Sequence, residues 1–159
     1  MNGGHVTQRV RQSRWFSLAD GPGVVAQCRD LTRQVLDEWF EPRGPEAGTV
    51  VGDALLLVSE VVTNACVHGG EPYELRFDRR DGSLWVGVSD RSPVRPRPHG
   101  PHRPARTSGH GLYLLQKLSA AWGWVPTGQG KTVWFEIRVP GTTGLAGSGL
   151  AGSGLAGSG

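Results

Sequence analysis

The sequence has little with which to staple or coordinate itself. Its 159 residues include two cysteines, Cys28 and Cys66. They show neither metal-ligand spacing nor a Cys-rich context, which argues against a disulfide scaffold and points to free core thiols in a reducing compartment. Long apolar runs are also missing. The longest continuous one, Ala54 to Val58, falls far short of the roughly 18 residues that a membrane span requires, and the N-terminus lacks the apolar stretch of a signal peptide. A soluble cytoplasmic chain without membrane contact is expected. Acids are absent between Arg91 and Arg106, where five arginines stand, so that with a net charge of +3 overall the rest of the chain carries about −2. A polyanion would meet one segment and no basic body, and that segment lacks interleaved aromatics, which speaks against nucleic acid as a partner.

What is present suits one domain. Residues 1–10 form a polar start, and residues 142–159 are low-complexity: eight of the 25 glycines lie between Gly141 and Gly159, where GLAGS repeats three times before a final Gly. Both ends are expected to be flexible, since they cannot bury enough surface to offset the entropy of ordering. The remaining span, 11–141, has about 130 residues, enough to bury roughly two thirds of the surface that an unfolded chain exposes.

Periodicity supplies the elements. Arg14 to Asp20 reads as a first strand, after which Pro22 opens a helix whose Val24, Cys28, Leu31, Val35 and Trp39 fall within about 80° on a helical wheel. The prolines and glycines of residues 41–48 precede a second helix, from about Val50 to His68. Tyr73, Leu75 and Phe77, and later Val133, Phe135 and Ile137, alternate with polar or outward residues as half-buried strands do. Asp81-Gly82 marks a hairpin into the strand Ser83 to Ser89. Five prolines exclude regular structure between residues 91 and 108, a mobile loop in this reading. A third helix is expected from about Gly109 to Ala121, then two strands joined at Thr127-Gly128-Gln129-Gly130. Hairpins with helices on one face make an α+β two-layer sandwich around a mixed, mostly antiparallel sheet.

The second helix carries two stripes. Ala54, Leu55, Val58, Val61, Val62 and Ala65 span about 100° to 220° when Glu60 is set at 0°, with Asn64 at about 40° and His68 at about 80°. Such a polar edge beside an apolar face suits either a solvated margin or chemistry. A carboxylate at Glu60 can take a proton from an attacking hydroxyl, and the side-chain oxygen of Asn64 offers Mg²⁺ one hard ligand, the rest coming from water and substrate phosphates. Gly109-His110-Gly111 opens the third helix after Thr107 and Ser108, natural N-cap residues. Free N–H groups at a helix start and the absence of a Cβ favour phosphate there. The arginine-rich loop just before it is placed to close over a polyphosphate, with Lys131 and Arg106 as candidate cations.

Together, SEVVTNACVHGG, VSDRSP, SGHGLYLLQKL and GKTVWFEI resemble the GHKL superfamily of ATP-binding domains, most of all the bacterial anti-sigma-factor serine/threonine kinases, over about Arg14 to Val139. The resemblance implies a Bergerat-type ATP-binding fold. It also implies Glu60 as catalytic base, Asn64 as the Mg²⁺ ligand beside ATP, and Asp90 as acceptor for the adenine amino group. Residues 91–108 become the ATP lid, with Gly109, His110, Gly111 and Leu112 at the phosphates and Thr132 supporting adenine. It further implies transfer of the ATP γ-phosphate to a serine or threonine of an anti-anti-sigma (STAS-type) protein, a sigma factor as second partner, and homodimers, which kinases of this kind often form. One departure stands out: the family's DxGxG is here Asp90, Arg91, Ser92, Pro93 and Val94, without either glycine, and Pro93 implies a stiffer pocket wall.

Overall fold

The alternation seen at Tyr73, Leu75 and Phe77 builds the first half of a five-stranded sheet. The computed structural model describes residues 9–68, 70–96 and 110–140. Its strands are β1 (Gln12–Ser17), β2 (Pro72–Arg80), β3 (Ser83–Asp90), β4 (Ala121–Thr127) and β5 (Gly130–Arg138), and its helices are α1 (Val24–Phe40), α2 (Ala47–Val67) and α3 (His110–Leu118). The sheet order is β1-β2-β3-β5-β4, and every neighbouring pair is antiparallel. The expectation of a mixed sheet is corrected in that respect. The last hairpin enters the sheet by β5, so β5 lies between β3 and β4 and brings Lys131 opposite Asp90.

All three helices contribute to one core on one face of the sheet. Val35, Leu36, Leu57, Val58 and Val62 from the helices meet Leu75, Phe77, Val86, Val88 and Phe135 from the strands, and Leu115 of α3 completes the layer. Helix α2 lies between α1 and α3 and crosses over β3 and β5. By length and mean hydropathy, 1.7, it passes as a membrane span, yet its Ala54, Leu57, Val58, Val61 and Val62 belong to this core. Cys28 is buried as expected, but Cys66 is exposed; it lies in the last turn of α2, at the margin of the apolar stripe. The third helix, expected to about Ala121, ends at Leu118, and Ala121 is instead the exposed first residue of β4.

The opposite face of the sheet carries aromatic and charged rows. Trp85 stacks on Trp134 with ring centroids 6.0 Å apart. Arg76 lies over the rings of both Trp15 and Trp85, at 5.1 and 5.4 Å. Phe135, next to Trp134 in the chain, points into the core, as period-2 alternation demands.

Candidate functional site

Four residues build the far end of β3. Asp90 is 1% exposed and Lys131 is 6% exposed. The Lys131 ammonium donates to Asp90 Oδ1 at 3.0 Å and to the Ser92 carbonyl at 3.2 Å, while the Ser92 N–H donates to the same Oδ1 at 2.8 Å. Ser92 also accepts from the Val94 N–H through its hydroxyl at 3.3 Å. The turn after Asp90 is therefore tied by side chains, in the manner of Asx and Ser turns. Among the described residues Glu41 is the one non-glycine with positive φ, at 43°, so Ser92 and Val94 reach this geometry without the freedom that two glycines would provide.

Two glycines missed by sequence reasoning make the approach close. A Cβ on Gly70 would lie 2.7 Å from Asp90 Oδ1 and 2.6 Å from Ser92 Cβ. The segment leaving α2 thus presses directly on the Asp90 turn. A Cβ on Gly130 would lie 1.8 Å from the Asp90 carbonyl oxygen, so the residue before Lys131 has to be glycine for β5 to pair here. The two adjacent glycines after His68, and the GK step before Thr132, were the available signals.

The expected site residues divide between those brought together here and those placed elsewhere. Glu60 and Asn64 are both half-buried on α2. Leu57, about 60° around the wheel from Glu60, is fully buried, so their stripe is a margin of the core and not an outer solvated edge. His68 is the C-cap of α2, with its N–H bonded to the Asn64 carbonyl. The chain from Asn64 through His68 to Gly70 connects the end of α2 to Asp90. Thr132 departs from its expected place: its hydroxyl shares a 2.7 Å hydrogen bond with that of Ser89, on the sheet face opposite Asp90. Lys131 holds the inward position instead, buried against Asp90, and so is not a free cation for phosphate. His110, Gly111 and Leu112 begin α3. Gly109, Arg106, the expected N-cap residues Thr107 and Ser108, and residues 97–108 of the expected lid lie outside the described residues.

Beside this end of the sheet a cavity of about 350 Å³ is lined by Tyr73, Asp90, Arg91, Thr127, Gly128, Gln129 and Gly130. The Arg91 guanidinium covers the Tyr73 ring at 5.2 Å. Of the expected site residues Asp90 alone lines it; Glu60 and Asn64 do not.

A family model for the histidine kinase-like ATPase domain matches residues 24–137. The chain belongs to that family. The span takes in α1 through nearly all of β5, and with it Glu60, Asn64, Asp90 and the start of α3. Among solved structures, the fold is similar to that of the RsbU and RsbW domains of Rv1364c from Mycobacterium tuberculosis, with a TM-score of 0.59 and 18% identity. That likeness covers 80% of this chain and 32% of the other, so the ATPase-type domain spans about a third of the protein it matches. A search of curated proteins found no match. The α+β sandwich and the GHKL kind are thereby established.

Proposed function

We propose that this domain binds Mg-ATP and acts as an anti-sigma regulatory factor with serine/threonine protein kinase activity, its substrate hydroxyl belonging to an anti-anti-sigma (STAS-type) partner. The observation that carries the reading is the buried, hydrogen-bonded carboxylate of Asp90 at a strand end, met by the C-terminal end of the helix bearing Glu60 and Asn64. A carboxylate so placed is an acceptor chemically suited to an amino group. The family to which the chain belongs supplies the nucleotide class.

The donor set on α2 fits the chemistry. Asn64, half-buried, offers a neutral hard oxygen, and a magnesium ion there, when bound, would neutralise charge on the transferring phosphoryl group. Glu60, one turn earlier on the same stripe, accepts the proton of the substrate hydroxyl. The hydroxyl oxygen then bonds to the γ-phosphorus while the bond to the β-phosphate bridging oxygen breaks, releasing ADP. Free N–H groups at the start of α3, with Gly111 in its first turn, orient the phosphates. Thr132, on the opposite face of the sheet, contributes in this reading through Ser89 and the register of β5, not by touching the base. A cytoplasmic location, a sigma factor as the second partner and a homodimeric state go with the same reading.

A second reading is a non-catalytic module that sequesters a regulatory protein; the missing DxGxG glycines and the cation on Asp90 favour it. Incubation of the purified chain with γ-labelled ATP, Mg²⁺ and a STAS-type partner separates the two. Label should pass to a partner serine or threonine, and Glu60→Ala should abolish transfer while nucleotide still raises the melting temperature. Transfer at the wild-type rate by that variant removes Glu60 as base, and an unchanged melting temperature at millimolar Mg-ATP leaves only the module.

A further inference from the structure

The ring of bonds among Asp90, Ser92 and Lys131 has no need of charge for stability alone. Burying an ammonium and a carboxylate costs several kcal/mol per ion, and well-packed apolar residues of similar volume often stabilise a fold as much or more. Here both side chains are nearly inaccessible, 8% and 2% exposed, and strand register fixes the pairing, because Asp90 and Lys131 are direct partners in the β3–β5 ladder. The two hydrogen bonds that Asp90 accepts among the described residues, from Ser92 N–H and from Lys131 Nζ, both fall on Oδ1. That arrangement locks the rotamer and turns one oxygen inward to the protein. Among the described residues no hydrogen bond falls on Oδ2.

We infer that Lys131 is a positioning residue of the nucleotide site: it fixes the Asp90 carboxylate through Oδ1, so that Oδ2 is presented to the exocyclic amino group of a purine, and base selectivity depends on it. The inference rests on the proposed nucleotide reading and deepens it. Ser92 joins the same lock, since its N–H and its carbonyl are held by Asp90 and Lys131 respectively. The lysine thereby does by side-chain bonding what two glycines do by backbone freedom, namely shape the wall beside the base. An ionised acceptor accepts from the amino group of adenine and has nothing to accept from the carbonyl of hypoxanthine, whose oxygen faces it with like polarity.

The test is calorimetric titration of the full chain with Mg-ADP and Mg-IDP. The wild-type protein should prefer ADP by about tenfold or more, the worth of one hydrogen bond to a charged group. Lys131→Met should bring that preference to within about threefold with IDP affinity unchanged, since one charged bond is lost and the phosphate contacts stay. Should Lys131→Met fail to fold, Lys131→Gln keeps an amide donor. In that variant a shorter, neutral donor holds Oδ1 less firmly, so the ADP preference should narrow while IDP affinity stays unchanged. A purely structural lysine would instead lower both affinities in parallel. That result, or an ADP preference that survives the substitution, overturns the inference and leaves the nucleotide reading standing. Failure of the wild-type chain to bind either nucleotide overturns both.

Discussion

At the scale of single residues, burial and strand face decide what each candidate can do. Glu60 and Asn64 were singled out by their spacing on one helix face and Asp90 by the family resemblance of VSDRSP; the structure has Glu60 and Asn64 half-buried on α2 and Asp90 buried at the end of β3. The face of the sheet was not legible at 131 and 132. Alternation alone makes one of two neighbours point inward, and only the register with β3 selects Lys131 over Thr132. Gly70 and Gly130 were hidden for a similar reason, since the atoms that would strike their Cβ come from the distant Asp90 segment. The thiols illustrate the same rule and give a pH-dependent prediction. Burial, with a smaller contribution from Cys66, pushes the Cys28 thiol up to about 12. Cys66 is exposed, yet partial burial of its sulfur and the Glu71 charge also raise it. A raised value means less thiolate at a given pH. Alkylation of the native protein near neutral pH should therefore be slow and confined to Cys66, accelerate as pH rises above the ordinary thiol range, and include Cys28 only after unfolding; intact-mass spectrometry reads each addition. The linkage has a matching sign. Below the unfolded-state value Cys28 holds its proton in both states and stability is unaffected, and as pH rises toward about 12 the unfolded chain gains by ionising first, so stability is lost.

At the scale of elements, the fold was largely readable and the exceptions have physical causes. Period-3.6 stripes located α1 and α2, and period-2 alternation located β2, β3 and β5, each within a few residues of its observed bounds. The third helix ends earlier than expected, at Leu118, because Ala121 and Trp122 pair with Glu136 and Phe135 in β4; a pairing across such a distance overrides local apolar spacing. The insertion of β5 between β3 and β4 is likewise a long-range outcome that no local pattern encodes. Helix α2 shows how an element is tuned. Its buried side is fixed by packing, with Leu57 and Val58 at 0% exposure, whereas Gly52 is exposed and a Cβ there would meet nothing within 4 Å. Gly52→Ala should stabilise the domain by about 0.5–1 kcal/mol through lower unfolded-state entropy. Leu57→Ala should destabilise it by about 2–5 kcal/mol through lost transfer energy and a residual cavity. Urea titration of both variants reads the opposite signs from unchanged slopes.

At the scale of the whole molecule, the two faces of the sheet divide the labour. One face is covered by helices and ends in the Asp90–Lys131 pair; the other carries stacked tryptophans and arginines, with Trp15 55% exposed. The charge asymmetry seen in the sequence falls on the segment that follows Asp90 in the chain, of which Arg91 and Arg95 are described, and the rest of the chain carries a slightly acidic balance. Family membership fixes the general kind of domain. The central claim is spatial: α2, the end of β3 and the start of α3 enclose one nucleotide. A crystal structure of the chain grown with Mg²⁺ and a non-hydrolysable ATP analogue tests it most directly. The account predicts an adenine amino group on Asp90 Oδ2, a metal on the Asn64 side-chain oxygen and phosphates at the start of α3 near Gly111. Nucleotide density that leaves Asp90 Oδ2, Asn64 and the start of α3 untouched, or none with the site accessible at millimolar ligand, would contradict it.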